Sequence, residues 1–185
     1  MHRLHHRHSD TMLDPHSPHN GSIFSVATAQ LFFYEKALRG LIVGRKEFTA
    51  VVSDLDFPVH FLIRRRLWFL PYLLHLVISG LLTLLFGSWL IGLGFYLGIM
   101  SHPVQGWMVN ALGHAYGYRN FETEDNSRNN TLVAWLVMGE GFQNNHHHRS
   151  GAAKFSAKWW EVDFGYGLCR IFQACGLIKI SEDTR

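Results

Sequence analysis

Charged residues are scarce in this sequence, and one long stretch has none. Asp, Glu, Lys and Arg together make up 17% of the 185 residues, against about 25% in an average soluble domain. Residues 67–118 contain none of the four over 52 positions. No lysine-rich run and no nucleic-acid motif is present, so we expect no nucleic-acid partner and interpret the net charge of +3 as charge beside a membrane.

Cysteine is equally rare, which bears on the redox environment. Cys169 and Cys175 are six positions apart on a predicted helix and point to different faces, so we expect no disulfide. Reduced thiols fit the cytosolic side of a membrane. Met1 leads directly into histidines and arginines, which is not the pattern of a signal peptide. The length predicts a single domain.

The charge-free stretch predicts a membrane hairpin. A continuous helix over it would be about 78 Å long, more than twice the ~30 Å hydrocarbon core. Two spans, Leu67–Phe86 and Leu90–Met108, with a turn near Gly87 fit better, and a soluble core does not easily supply so long a run. Arginines at 64–66 place that end in the cytoplasm. We expect an all-α, multi-pass integral membrane protein with a transmembrane hairpin at 67–108 and a cytosolic, histidine-rich helical cap.

Three further helices are expected outside the hairpin. Residues 22–38 form an amphipathic segment that we place along the membrane interface. A second helix, capped by Asn126 or Ser127, should end at the glycines beside the histidine cluster. The last should run from Trp159 to Gly176, with its apolar stripe packed in the core.

Histidine is the residue in excess, with 13 in the chain, and three segments concentrate it. Gln143-Asn144-Asn145-His146-His147-His148 is the densest. His2-Arg3-Leu4-His5-His6, on a short helix, spaces imidazoles at i, i+3 and i+4 along one face. Asn110 and His114 follow the second predicted span. Because clustered neutral imidazoles need partners for two nitrogens each, and one divalent metal serves several, we expect the segments to meet at a cytoplasmic metal site.

The remaining histidines are not expected to be ligands. His8, His16 and His19 belong to a loop region, where solvated side chains are expected. His75, inside the first predicted span, is expected to hydrogen-bond a neighbouring helix. A purification tag or a metal-buffering tail is the alternative for residues 1–8, although the residues that interrupt the histidines argue against a tag.

On these motifs the sequence resembles the membrane-bound fatty acid desaturases, specifically the acyl-CoA (stearoyl-type, delta-9) branch and its bacterial relatives. Residues 2–6 match the second histidine box, HxxHH, and residues 110–117 match the NxxxHxxG segment. Residues 127–130 and 139–147 match the third box and its lead-in. The likeness covers nearly the whole chain, which makes residues 1–185 a single, partial desaturase-like domain.

The resemblance implies a di-iron centre. Its iron ligands would be His2, His5, His6, His114, His146 and His147, with Asn110 holding a metal through a water. Such enzymes use O2 and two external electrons to remove two hydrogens from a methylene pair of a fatty acyl chain, leaving a cis double bond and water. The substrate would be an acyl-CoA or an acyl lipid. Without a haem-binding His-Pro-Gly-Gly sequence, the chain would need a ferredoxin or cytochrome-b5-type donor.

Two departures from the family pattern qualify the implied activity. The first histidine box, HxxxxH, and the spans around it are absent, and Gln143 replaces the first histidine of the third box. The sequence therefore indicates an N-terminally truncated desaturase, with one iron site more complete than the other and no activity alone. The alternatives are another membrane di-iron oxygenase, such as a hydroxylase, and a non-enzymatic, metal-binding remnant.

Overall fold

A computed structural model describes most of the chain: residues 1–14, 17–18, 21–54, 61–62, 65–67 and 69–180. The expectations for His16, His19 and Arg64 therefore lie outside the described residues. Within the described residues the regular secondary structure is helical, and β-structure is limited to two isolated bridges, which confirms the all-α class.

The helices of the described residues range from 3 to 21 residues in length. In chain order they are α1 (His2–His8), α2 (Ile23–Val43), α3 (Lys46–Thr49), α4 (Leu70–Phe86), α5 (Trp89–Met100), α6 (His102–Trp107), a π-helical turn (Met108–Leu112), α7 (Gly113–Ala115), α8 (Thr131–Leu136), α9 (Gln143–His148) and α10 (Phe164–Ala174). The chain divides into two compact units, one of residues 1–31 and 104–185 and the other of residues 32–103.

The first unit contains all the candidate metal ligands around a small apolar core. Val109 of the π-helical turn packs there with Val133 and Val137 from α8 and its C-terminal end. Two isolated antiparallel bridges join Asn129 to Tyr118 and to Phe142, and they bring the segments before α8 and α9 together. The core is small because this unit is held together largely by polar contacts around its histidines.

The second unit contains the expected hairpin. Helix α4 ends at Phe86, and Gly87 adopts the left-handed conformation (φ 62°) that closes the turn. Ser79 donates a hydrogen bond to the carbonyl of Gly92 across the two helices, at 2.7 Å. A Cβ at Gly92 would overlap Thr83 and Ser79, so the close approach requires glycine there.

The two hairpin helices are shorter than expected. Helix α4 has 17 residues and α5 has 12, so α5 stops well before the expected Met108. Pro103 follows closely and lacks the N–H that would extend the α5 hydrogen-bond ladder. Among the described residues, no helix combines the length and the hydropathy needed to cross a bilayer. Large apolar side chains nevertheless stay exposed along the hairpin, with Leu84 80% and Leu85 75% exposed.

The N-cap of α8 differs from the expectation. Asn130, not Asn126 or Ser127, accepts the capping bond from the backbone N–H of Val133, at 3.1 Å. The two expected caps bond elsewhere: the N–H of Asn126 donates to Asp10, and the hydroxyl of Ser127 donates to Asp125.

The last helix also differs in its start and its environment. It begins at Phe164, not Trp159, because Asp163 caps it by accepting from the N–H of Tyr166 at 2.8 Å. None of its residues is buried, and Ile171 is 58% exposed. The expectation that its apolar stripe packs in the core was wrong. The two cysteines are free, as expected.

Candidate metal centre

Helix α1 brings two of its histidines against a third from α9. The Nε2 atoms of His2 and His6 lie 3.1 Å apart and are 3.2 and 2.9 Å, respectively, from Nε2 of His146. Three nitrogens this close could together hold one metal ion, since imidazole–metal bonds are typically ~2.0–2.1 Å long. We call His2, His6 and His146 the first triad.

A second triad consists of His5, His114 and His147. One ring nitrogen from each lies within 4.8 Å of the others. Their ring centroids are 4.8–5.1 Å apart. Nε2 of His114 and Nε2 of His147 are buried and have no hydrogen-bond partner among the described residues, which is the condition a bound metal would relieve.

The two triads adjoin each other through α1. His2 and His6, four residues apart, lie on one face, while His5 is turned about 100° from His6 toward the second triad. The rings of His6 and His147 are 4.4 Å apart across the boundary between the triads. The six histidines divide evenly between the triads, three and three. The expectation of one fuller and one poorer iron site concerns bound iron and stays a prediction.

Each histidine of the second triad is held by a carboxylate. An ionised carboxylate can only accept, so Nδ1 of each imidazole carries the proton and Nε2 keeps the lone pair needed for a metal. The pairs are His5 with Asp14 (2.9 Å), His114 with Asp10 (3.0 Å) and His147 with Asp125 (2.5 Å).

Asp10 reaches His114 because the backbone turns sharply after α1. It has φ 58°, a left-handed conformation that Asp tolerates better than most residues. Ser17 and the N–H of Asn126 also donate to its carboxylate, each at 2.7 Å. Burial alone would raise the pKa of Asp10, but the hydrogen bond from His114 and these two donors hold it well below its usual range. The carboxylate is therefore ionised at neutral pH.

Asp125 is stabilised in the same way. It accepts from His147, from the hydroxyl and N–H of Ser127 at 2.6 and 3.1 Å, and from the Thr123 hydroxyl at 2.8 Å. Burial opposes its ionisation, and the bonds from His147 and Ser127 outweigh burial, so the pKa of Asp125 is also well below its usual range. Burial lowers the pKa of His147, although Asp125 opposes this.

The first triad has no such support. Among the described residues no carboxylate is hydrogen-bonded to its histidines, and Nδ1 of His146 is buried without a partner. The ring of His146 stacks on Phe155 at 4.3 Å. Burial, followed by the neighbouring imidazoles, lowers the pKa of His2 to about 4, of His6 to about 2 and of His146 to about 3. All three are neutral at pH 7 and able to bind a metal.

The two asparagines before His146 fix the position of α9. Asn144 accepts from the backbone N–H groups of Asn120 and Phe121, at 2.8 and 2.9 Å. Asn145 donates to Glu161 at 2.8 Å and accepts from Asn129 at 2.9 Å. These buried bonds hold the first turn of α9, and so determine where His146 and His147 point.

Glycine permits the close approach of α9 to α8. A Cβ at Gly141 would overlap the backbone nitrogen of Ala134, and it would lie 2.6 Å from the carbonyl oxygen of Asn130. Asn130 donates its backbone N–H to the Gly141 carbonyl at 2.8 Å. The sequence led us to expect that Gly139–Gly141 would end this helix, but α8 already ends at Leu136, with Val137 as its C-cap.

The remaining candidates lie outside both triads. Asn110, in the π-helical turn, donates its amide to the carbonyl of Gly106 at 2.8 Å. Gln143 is buried, and its Oε1 has no hydrogen-bond partner in the part of the chain the structure describes. His148 stacks on Phe121 at 4.1 Å. Nδ1 of His75 is buried and has no hydrogen-bond partner among the described residues. The hydrogen bond that we expected from His75 to a neighbouring helix is therefore not made by Nδ1.

Sequence reasoning missed the acidic residues that surround the histidines: Asp10, Asp14, Asp125 and Glu161. No pairing motif marks them, because their hydrogen-bond partners lie up to 116 positions away. The available signal was their composition. In a chain with few charges, two aspartates follow closely on the HxxHH helix, and a third precedes the third histidine box.

This geometry defines an all-helical protein with two adjacent three-histidine groups, each able to hold a metal ion. A model of the fatty acid desaturase family matches residues 1–163. The chain belongs to the fatty acid desaturase family.

Curated relatives extend the match over the whole chain. Delta-9 acyl-lipid desaturase 2 of Arabidopsis thaliana is 33% identical over 199 residues, 100% of this chain and 58% of the relative. The sn-1 stearoyl-lipid 9-desaturase of Anabaena variabilis is 33% identical over 187 residues, 98% of this chain and 64% of the relative. Acyl-CoA 5-desaturase AL21 of Anemone leveillei is 33% identical over 191 residues, which cover 99% of this chain and 55% of the relative. The chain thus spans between about half and two thirds of the length of these relatives.

Proposed function

We propose that this protein is a fatty acyl desaturase whose two triads each hold one iron ion. The observation that carries the proposal is the even division of six histidines, drawn from three distant segments, into two adjacent groups whose ring nitrogens lie within 4.8 Å of one another. Iron bound there would supply the O2 chemistry that breaking an unactivated C–H bond requires, since such a bond is not acidic and offers no acid–base route.

The protein's own residues prepare the ligands. Neutral imidazoles present lone pairs at pH 7, and the Nδ1 protons of the second triad stay on the histidines because the ionised aspartates only accept. Asn110, whose Nδ2 is used on Gly106, would hold a metal-bound water through Oδ1. His5 and His114 are almost completely buried, which limits water at the second triad.

The substrate we propose is a fatty acyl chain that receives a cis double bond, with the delta-9 position as the preferred one. The names of two relatives given above specify a 9-desaturase acting on acyl lipids, and the third specifies an acyl-CoA and position 5. The shared feature is the acyl chain, so either carrier is compatible. We propose a ferredoxin or a cytochrome-b5-type protein as the separate electron donor.

We further propose that the α4–α5 hairpin inserts into a membrane, with the histidines on the cytoplasmic side. Support comes from the charge-free residues 67–118 and from large apolar side chains exposed along both helices, such as Leu85 and Trp89. At 1.5 Å per residue, α4 alone would extend about 26 Å, close to the ~30 Å hydrocarbon core. Arg65 and Arg66 precede the hairpin, in agreement with a cytoplasmic start.

The test is expression in a desaturase-deficient host of the protein as its genome encodes it, with any in-frame sequence upstream of residue 1. We expect new cis double bonds in the membrane lipids, their loss in His147→Ala, and their retention in the matched variant His148→Ala. Hydroxylated chains in place of unsaturated ones would identify a hydroxylase instead. Unchanged lipids with a well-expressed protein would contradict the proposed activity.

A further inference from the structure

The two triads differ in the charge that surrounds them, although each has three histidines. Every histidine of the second triad donates Nδ1–H to an aspartate, and the side chains of these aspartates are 0–11% exposed. The part of the chain that the structure describes has no carboxylate hydrogen-bonded to His2, His6 or His146. The region therefore places three carboxylates behind the second triad and, among the described residues, none in hydrogen-bond contact with the first.

The aspartates are also linked to one another and to the backbone, so they are fixed before a metal arrives. Asp14 accepts the backbone N–H of Asp10 at 2.8 Å, and it bonds to His5 through both carboxylate oxygens, at 2.9 and 3.0 Å. Asp10 accepts from Asn126, one residue before Ser127, which donates to Asp125. Apart from histidine, the groups that donate hydrogen bonds to Asp10 and Asp125 are neutral hydroxyl and N–H groups. These donors therefore do not cancel the negative charge of the two aspartates.

Two physical effects then favour a cation at the second triad. A carboxylate bonded to Nδ1–H polarises the imidazole and makes Nε2 a stronger donor to a metal. Buried, uncancelled negative charge also attracts a cation more strongly than the same charge in water would. The first triad has neither effect, because Nδ1 of His146 has no partner among the described residues and its ring lies against the apolar Phe155. His2 is also more open to solvent than His5 and His114, which are buried.

We propose that the two metal sites are unequal: the second triad (His5, His114, His147) fills first and holds its ion more tightly, and the first triad (His2, His6, His146) holds the exchangeable ion. Asp10, Asp14 and Asp125 are the positioning residues that create the difference. The inference rests on the proposed metal centre and specifies how that centre is loaded.

The test is titration of the purified, metal-free chain with Co²⁺, whose visible absorption reports imidazole ligation, and with Fe²⁺ under anaerobic conditions. We expect two binding steps that differ at least 10-fold in dissociation constant. His147→Ala should remove the tighter step and leave the weaker one, whereas His146→Ala should do the reverse.

The aspartate variants assign the cause. Asp125→Asn, Asp10→Asn and Asp14→Asn should each weaken the tighter step about 10–100-fold and leave the weaker step within about 2-fold. Glu124→Gln is the matched control, since it removes an exposed neighbouring charge and should change neither step. Far-UV circular dichroism identifies a variant that has failed to fold, and the other two aspartates then supply the result.

The outcomes separate the inference from the proposed function. Three results would overturn the inference and leave the two-metal centre intact. They are two binding steps of equal affinity, loss of the tighter step in His146→Ala, and aspartate variants that weaken both steps equally. Absence of binding by the folded chain at micromolar Co²⁺ and Fe²⁺ would overturn the metal centre itself, and the inference with it.

Discussion

Asn145 donates its side-chain amide to the carboxylate of Glu161 at 2.8 Å, immediately before His146 on α9. Glu161 is 4% exposed and also accepts from Tyr118, from Asn120 and from two backbone N–H groups. Burial would raise the pKa of Glu161, but these donors, Tyr118 first, lower it. The pKa of Tyr118 is raised above its usual range, first by burial and then by its contact with Glu161.

Glu161→Gln should therefore destabilise the protein and loosen α9. The substitution removes the negative charge that attracts the hydrogen-bond donors around residue 161. It also places the N–H groups of the new amide against those same donors, where they find no acceptor. Hydrogen bonds to a charged group are worth ~1.5–3 kcal/mol each, so we expect a loss of about 3 kcal/mol in the free energy of unfolding. Urea unfolding in detergent measures it. Glu122→Gln, at an exposed position, is the control, and an equal effect of both changes would contradict the role of Glu161.

Gly141→Ala should disrupt the contact between α8 and α9. Its methyl group would overlap backbone atoms of Ala134 and Asn130, which cannot move as a side chain can. We expect a loss of about 2–3 kcal/mol in stability, with weaker metal binding. Gly167→Ala is the matched control, because a Cβ at that helical position meets open space, and it should raise stability by about 0.5–1 kcal/mol. Similar results for both would show that the close approach is unimportant.

The all-α class, the hairpin turn and the three histidine segments could be predicted because each depends on local sequence. A charge-free run, a Gly87 turn and a histidine pair four residues apart are all visible within a few positions. The carboxylates could not be predicted, because Asp10 meets His114 only after the chain has folded. Helix ends were misplaced where a polar residue had a stronger partner elsewhere, as Ser127 has in Asp125.

Acid should destabilise the metal-free protein between about pH 6.5 and 4. The histidines of the first triad have folded-state pKa values of about 4, 2 and 3, against an ordinary value of 6.5. Within this window the unfolded chain binds protons that the folded chain does not, so lowering the pH favours unfolding. Above pH 6.5 these three histidines are unprotonated in both the folded and the unfolded chain, so they no longer make the stability depend on pH.

Thermal unfolding midpoints across this pH range measure the effect. A variant with Gln at positions 2, 6 and 146 should show a flatter profile than the unmodified chain, and this difference isolates the triad from the other titrating groups. A midpoint that is independent of pH in the unmodified chain, or an identical slope in the variant, would contradict the prediction.

The proposed membrane hairpin predicts a specific labelling pattern. With Cys169 and Cys175 replaced by Ser, a single cysteine at Ser88→Cys should react with an impermeant thiol reagent only from the side opposite the cytoplasm. A single cysteine at position 185, the C-terminal residue, should react only from the cytoplasmic side. Labelling of position 88 from the cytoplasmic side alone would rule out the proposed insertion.

The central claim is that two groups of three histidines hold two iron ions, and the iron content of the purified chain tests it most directly. After expression in iron-supplemented medium, the account predicts about two irons per chain, about one in His146→Ala, about one in His147→Ala, and two in His148→Ala. A correctly folded chain without iron, or an iron content that neither of the first two substitutions lowers, would contradict it.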